Sequence, residues 1–269
     1  LDPRPEWIPP AFPQTAQGVL EFNKAILDCV VDHVVAVKPQ VAFYEQMGVA
    51  GMETYRATCA EAKKREILVI GDVKRGDVPG TAKAYAEAHS NAFACDAITV
   101  NPYFGTDGIE PFLDAAERTG GGLFVLVKTS NPSSKEIQDL ESGGKPLHLH
   151  VAEMTRKWGE KLLGKSGYSS VGAVVGATHP EEAARIRKAM PRTFFLVPGY
   201  GAQGGGAEDV RVCFEEDGLG AIVNASRSVV FAWRRSPYDE KYGVSRWKEA
   251  VTESVISMKE DINQVVSSH

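Results

Sequence analysis

The sequence lacks any C-x-x-C pair; Cys29, Cys59, Cys95 and Cys213 stand at least 30 residues apart. That spacing offers neither a zinc knuckle nor a dithiol redox centre, and it fits reduced, mostly buried thiols in a cytoplasmic protein. No apolar run approaches the roughly 18 residues of a membrane-spanning helix, so no membrane partner is expected. No signal-peptide pattern stands at the start, although the sequence opens abruptly at Leu1. Positive charge is not in excess: 30 Lys and Arg against 35 Asp and Glu leave a net charge of −5, which argues against a broad nucleic-acid-binding face. A local anion site is compatible with that balance. Histidine is sparse, and His33, His89 and His179 are isolated from one another. His148 and His150 share a face only in an extended segment and border a predicted helix, so a surface reading is preferred to a metal site. Met47, Met52, Trp158 and Trp233 read as packing residues.

What is present is a repeated alternation. Short apolar runs at 34–37, 67–71, 97–100, 123–127, 171–175, 194–197 and 221–223 read as buried parallel strands. Helical periodicity fills 15–31, 51–65, 81–91, 108–118, 149–163, 179–189 and 245–263. Residues 129–148 carry Ser, Gly and Pro with little periodicity and read as a long loop of the kind that serves as a lid. Seven strands alternate with helices, and Leu1 is a candidate stub of an eighth. Strict β–α alternation predicts a parallel sheet flanked by helices. Eight such units predict a (β/α)8 TIM barrel, with residues 1–269 as a single domain. A doubly wound open sheet is the alternative, but the Gly-rich turn it wants after its first strand is missing.

The chemistry concentrates in Asp72-Val73-Lys74-Arg75-Gly76-Asp77, which follows the apolar run 67–71. Carboxylates and a lysine at the end of a buried strand are expensive to desolvate unless they pair. The period of 2 along a strand predicts Asp72 and Lys74 on one face, with Asp77 beyond the strand. In a barrel every strand's C-terminal end opens on the same mouth, which predicts that Asp2, Lys38, Asp72, Lys74, Ser130, Gln203 and Arg227 converge there. Alternating Lys38, Asp72, Lys74 and Asp77 hold one another ionised and create a fixed field without a cofactor. Carboxylates on both sides favour the ammonium form of Lys74, hence an acid role over a Schiff base. On the other side of the mouth, the Gly-rich segment Pro198–Gly206 and Arg227 fit a phosphate site, since barrels often bind phosphate between the loops after strands seven and eight.

Asp72-x-Lys74-x-x-Asp77, Lys38 after the second strand, Pro198-Gly-x-Gly-Ala-Gln203-Gly-Gly and Arg227-Ser228 together resemble the orotidine 5′-monophosphate decarboxylase family. Val35-Ala36-Val37-Lys38-Pro39-Gln40 and Asp72-Val-Lys-Arg-Gly-Asp77 are similar to its longer, bacterial-type branch, and the resemblance runs over nearly the whole chain. It implies a (β/α)8 homodimer with active sites at the subunit interface, converting orotidine 5′-monophosphate to UMP and CO2 with no metal or organic cofactor. By the same resemblance, Lys38, Asp72 and Lys74 belong to one subunit's charged array, and Asp77 with Thr81 reaches the partner's site. Lys74 would protonate C6, and Asp72 would lie beside the departing carboxylate. Lys38 and Asp2 would hold ribose hydroxyls, Ser130 the pyrimidine edge, and Gln203 with Arg227 the phosphate. One departure stands out: the family's first strand precedes the Leu-Asp-Pro segment, whereas this sequence begins at Leu1. Two other readings stay open. One is a metal-dependent sugar-phosphate decarboxylase or aldolase sharing D-x-K-x-x-D. The other is a non-catalytic nucleotide-binding barrel.

Overall fold

The computed structural model describes residues 1–201 and 205–267. Helix α1 (Ala16–Val30) precedes strand β1 (Ala36–Val37), then α2 (Ala42–Glu45), α3 (Gly48–Lys64) and β2 (Leu68–Arg75). Next come α4 (Pro79–Glu87), β3 (Ala97–Val100), α5 (Gly105–Thr119), β4 (Gly122–Lys128) and α6 (Lys135–Gln138). A short pair, β5 (Glu141–Ser142) and β6 (Lys145–Pro146), leads to α7 (Leu147–Gly159), β7 (Ser169–Val175), α8 (Pro180–Ala189), β8 (Thr193–Val197), α9 (Ala207–Arg211) and β9 (Ala221–Val223). The chain closes with α10 (Arg227–Val230), α11 (Tyr238–Tyr242) and α12 (Trp247–Val266). One sheet has the order β1-β2-β3-β4-β7-β8-β9 with parallel pairing, and β5 and β6 pair only with each other. The order never reverses, as it must in a doubly wound sheet. Sequential parallel strands with helical crossovers are the (β/α)8 barrel pattern.

Two compact units emerge: Leu1–Val73 with Asn91–Asp96 and Ala225–Asp261, and Lys74–Ser90 with Ala97–Asn224 and Ile262–His269. The first is built around α1. Thr15 caps this helix by accepting the Gly18 amide at 3.2 Å, which satisfies one of the free N–H groups of the first turn. Gly18 has to be glycine there, because a Cβ would stand 1.8 Å from the Pro13 carbonyl oxygen. The buried stripe Val19, Phe22, Ile26, Leu27 and Val30 follows the helical period. Phe22 gathers Phe12, Phe231 and Trp247, with ring centroids at 5.7, 5.9 and 5.2 Å. Asn23, buried on the same helix, donates to Tyr44 Oη and Thr58 Oγ1, both at 3.0 Å.

Leu1 belongs to no regular strand, yet its backbone behaves like one. Its nitrogen donates to the Lys38 carbonyl at 2.7 Å and its carbonyl accepts the Gln40 amide at 3.0 Å. Those alternating bonds are the pattern of a parallel ladder. On the other edge of the same segment, the Asp72 amide donates to Pro39 O at 3.0 Å and the Val41 amide to Asp72 O at 3.2 Å. Pro39 thus needs no N–H of its own, since only its carbonyl is used.

The second unit holds a core of Val127, Ala173, Val175, Ile186, Phe195 and Val197 on β4, β7, β8 and α8. Gly172 lets β7 pass the Phe124 ring, which a Cβ would approach to 2.5 Å. Arg187, on the buried face of α8, is an internal tie: its guanidinium donates to the carbonyls of Cys213, Gly220, Met190 and Thr193 at 3.0, 3.1, 2.5 and 2.6 Å. Burial pushes its pKa down from the ordinary value, with Glu215, 3.3 Å away, opposing that.

Two expectations need correction. The strand predicted at 67–71 continues to Arg75, so Asp72 and Lys74 lie on β2 itself. Residues 129–148 are not a structureless loop: they contain a 3₁₀ turn at Pro132–Ser134, helix α6 and the β5–β6 hairpin. Ser142 O meets His150 Nε2 at 2.8 Å, and Lys145 pairs with Glu153 at 2.6 Å. These contacts tie the hairpin to the first turns of α7. Truncating the aromatic hub, Phe22→Ala, should lower unfolding free energy by about 3–5 kcal/mol in urea titration; a loss below about 1 kcal/mol would show that the cluster repacks.

Candidate active site

In the first unit, the ladder formed by Leu1, Lys38–Val41 and Asp72 concentrates charge. Lys38 Nζ lies 2.6 Å from Asp72 Oδ2, and both side chains are largely buried. Gln40 Nε2 donates to the same oxygen at 3.0 Å. Two donors on one carboxylate oxygen fix its direction. Asp2 follows directly on the paired Leu1 and is half-buried; its Oδ1 is shielded from solvent and accepts no hydrogen bond among the described residues. A sequestered acceptor of that kind suits a ligand hydroxyl. Arg227 is the first residue of α10 and is exposed.

Past Val73 the chain enters the second unit. Lys74 is exposed, unlike Asp72. Its φ is +46°, the left-handed region that a lysine rarely adopts. The regular extended backbone of the strand is therefore interrupted at this residue. The Lys74 amide donates to Thr99 Oγ1 at 2.9 Å, and the Asn101 amide to Arg75 O at 2.8 Å. Gly76 allows this approach, since a Cβ would meet Asn101 O at 2.8 Å. Asp77 lies beyond the strand, as expected, and its Oδ1 accepts the Val78 amide at 2.7 Å. Thr81 is exposed in the first turn of α4.

The C-terminal ends of β4, β7 and β8 meet in the same unit. The Gly176 amide donates to Lys128 O at 2.8 Å and the Ala177 amide to Pro198 O at 2.9 Å. Ser130 presses against the end of β7, where a Cβ on Gly176 would come within 2.9 Å of its Cα and Cβ. Thr178 Oγ1 donates to Ser130 O at 3.3 Å. In the Gly-rich segment, the Gly201 amide donates to Gly205 O at 2.8 Å, with Gly199 and Gly201 at φ +106° and +70°. Gln203 lies outside the described residues.

Sequence reasoning missed a buried polar cluster beside Ser130. Lys128, 1% exposed, forms an ion pair with Asp139, and His148 Nδ1 lies 3.1 Å from the same carboxylate oxygen. His148, expected at the surface, is 3% exposed, because the residues after β4 fold back over it. Lys128 chiefly, through its hydrogen bond, holds the Asp139 carboxyl below its ordinary value. The signal available in the sequence was a lysine closing a buried strand, which demands a partner.

Comparison with known proteins gives a consistent picture. The family model described as orotidine 5′-phosphate decarboxylase / HUMPS family matches residues 16–235. The orotidine 5′-phosphate decarboxylase of Rhodopirellula baltica is 42% identical over 278 residues, covering 97% of this chain and 92% of that protein. A solved chain from Toxoplasma gondii superposes with a TM-score of 0.86 at 31% identity, covering 99% of this chain and 90% of its own. The solved Leishmania donovani OMP decarboxylase gives a TM-score of 0.79 at 30% identity, over 95% and 90%.

A carboxyl with a depressed folded pKa adds stability that is complete above its ordinary pKa and lost as pH falls through the folded value. Asp139→Asn should therefore lower the urea midpoint at neutral pH, and its gap to the parent should close as pH falls below the ordinary value of 3.8. A gap unchanged down to about pH 2 would mean the Asp139 charge adds nothing.

Proposed function

The chain belongs to the orotidine 5′-phosphate decarboxylase / HUMPS family, and from that membership we propose that it converts orotidine 5′-monophosphate to UMP and CO2. The reading makes it the last enzyme of de novo pyrimidine nucleotide synthesis, acting in the cytoplasm without metal or organic cofactor. One observation carries the proposal: Asp72 and Lys74 lie on a single strand, with Lys38 2.6 Å from the Asp72 carboxylate and Asp77 just past the strand end.

The chemistry follows from that arrangement. Cleaving the bond between C6 and its carboxylate releases CO2 and leaves the electron pair on C6, where the ring offers no good sink. A preorganised field and a nearby ammonium must supply the stabilisation. Lys74 donates its proton to C6 and regains one from solvent. Asp72, oriented by Lys38 and Gln40, faces the departing carboxylate and destabilises the bound ground state. Asp2 and Lys38 take the ribose hydroxyls, and the sequestered Asp2 Oδ1 supports its part. Ser130 takes the pyrimidine edge, and Gln203 and Arg227 take the phosphate, whose binding energy is used remotely from C6.

A homodimer with shared sites completes the reading, with Asp77 and Thr81 serving the partner subunit. It is supported by an apolar surface in the second unit. Val78, Tyr103 and Phe104 are 55%, 88% and 45% exposed, apolar area that a partner subunit would cover. Gly108 touches both Phe104 and Asp77, where its Cβ would meet Phe104 Cβ at 2.6 Å and Asp77 O at 2.9 Å. Gly108 thus brings the Phe104 side chain and the Asp77 backbone to the same helix turn.

Turnover of orotidine 5′-monophosphate, followed by absorbance, should persist in EDTA. Abolition by the chelator would point instead to metal-dependent lyases that share D-x-K-x-x-D. Lys74→Ala should lower kcat by at least about 10³-fold while 6-substituted UMP analogues still bind; near-normal turnover would sink the proton-donor role. Mixing Lys74→Ala with Asp77→Ala protein should restore part of the activity through hybrid dimers. No recovery after verified subunit exchange would overturn the shared site.

A further inference from the structure

We propose that Gln138 is a positioning residue for the decarboxylation, clamping Thr129, the residue before Ser130, and resting on the buried Lys128–Asp139–His148 cluster. The proposal rests on the reading of Ser130 as the pyrimidine contact.

Gln138 uses both ends of its amide on one residue. Its Oε1 accepts the Thr129 amide at 3.0 Å, and its Nε2 donates to Thr129 Oγ1 at 2.8 Å. Two bonds to one residue fix the backbone and the side-chain rotamer together. The Thr129 hydroxyl donates onward to Asn131 Oδ1 at 2.6 Å. Gln138 thus fixes Thr129, whose hydroxyl reaches the Asn131 side chain across Ser130, while Ser130 itself is held against β7 by Thr178 and by the space that Gly176 leaves.

Gln138 is in turn anchored from behind. Its carbonyl faces His148 Nδ1 at 2.9 Å, and the same nitrogen faces Asp139 Oδ1. Two acceptors around Nδ1 require the proton to sit there. His148 Nε2 is buried and has no hydrogen-bond partner among the described residues. Lys128 closes the circuit by pairing with Asp139. Residues 128–131 at the end of β4 and residues 138 and 139 at the end of α6 therefore form one closed polar network.

A network of this kind is a poor way to obtain stability. Burying a lysine and a histidine carries a desolvation penalty that well-packed apolar residues avoid. What it supplies is direction: each member leaves its neighbour one allowed geometry. That property has value where a hydroxyl must meet a substrate edge, since a misplacement of about 1 Å can cost about a hundredfold in rate.

The test is a double-mutant cycle on kcat/KM for orotidine 5′-monophosphate. Gln138→Ala should reduce kcat/KM by between about tenfold and about a hundredfold, and Ser130→Ala should reduce it at least as much. The double variant should fall no further than Ser130→Ala alone, because Gln138 acts through Ser130. Thr129→Val, which removes the hydroxyl and leaves Gln138 and the buried cluster intact, should reproduce part of the loss with an unchanged melting temperature. It keeps the test decisive if Gln138→Ala folds poorly. Losses that multiply in the double variant, or a Thr129→Val enzyme with parental kinetics, would overturn the proposal even with Ser130→Ala impaired. A Ser130→Ala enzyme with parental kcat/KM would remove the pyrimidine reading of Ser130 and this inference with it.

Discussion

The ion pair of Lys38 with Asp72 is the constraint on which the candidate site depends. Both side chains are withdrawn from solvent, so neither tolerates the loss of the other. Removing one partner of such a pair leaves an uncompensated charge and costs about 3–5 kcal/mol. The backbone prepares the pair before the side chains meet. Leu1 and Asp72 flank the segment Lys38–Val41 with parallel-ladder bonds. Gln40, on the same segment, reinforces Lys38 on the same carboxylate oxygen. Asp2 owes its place to the Leu1 bonds. Ladder geometry thus decides where the acidic and basic groups point, and the charges hold only because the ladder fixes them.

The second unit repeats this logic with different residues. Lys128 closes β4 as Lys38 follows β1, and Asp139 answers it as Asp72 answers Lys38. In each case a lysine at the C-terminal end of a buried strand recruits a carboxylate from elsewhere in the chain, and amide side chains settle the remaining freedom. The apolar cores beneath, around Phe22 in one unit and Phe195 in the other, supply the burial that makes these pairs directional.

Much of the fold was legible because strands 97–100 and 221–223 are short apolar runs bounded by polar residues, and their limits match the structure. The end of β2 was not, because its last four residues include three that are charged and no apolar run signals them; the ladder with Pro39 and Val41 extends the strand. The elements between 132 and 146 are two to four residues long, too short to leave a period. His148 looked superficial because its partners lie nine and ten residues back, at no spacing that a helix or strand would pair. The ion pair of Lys38 and Asp72 was legible because charge at the end of an apolar strand is conspicuous. Gln138 escaped because a neutral amide clamp has neither charge nor pattern to betray it.

The backbone at Lys74 puts two kinds of selection in opposition. At φ +46°, glycine is free of the steric penalty that any L side chain meets, and asparagine bears it more easily than lysine. The strain of a lysine there is on the order of 1 kcal/mol or more. A lineage or library sorted for heat resistance alone would drift at position 74 towards glycine or asparagine. Under the proton-donor role proposed for Lys74, the residue that the chemistry needs is one that the backbone disfavours, so durability and turnover pull position 74 in opposite directions.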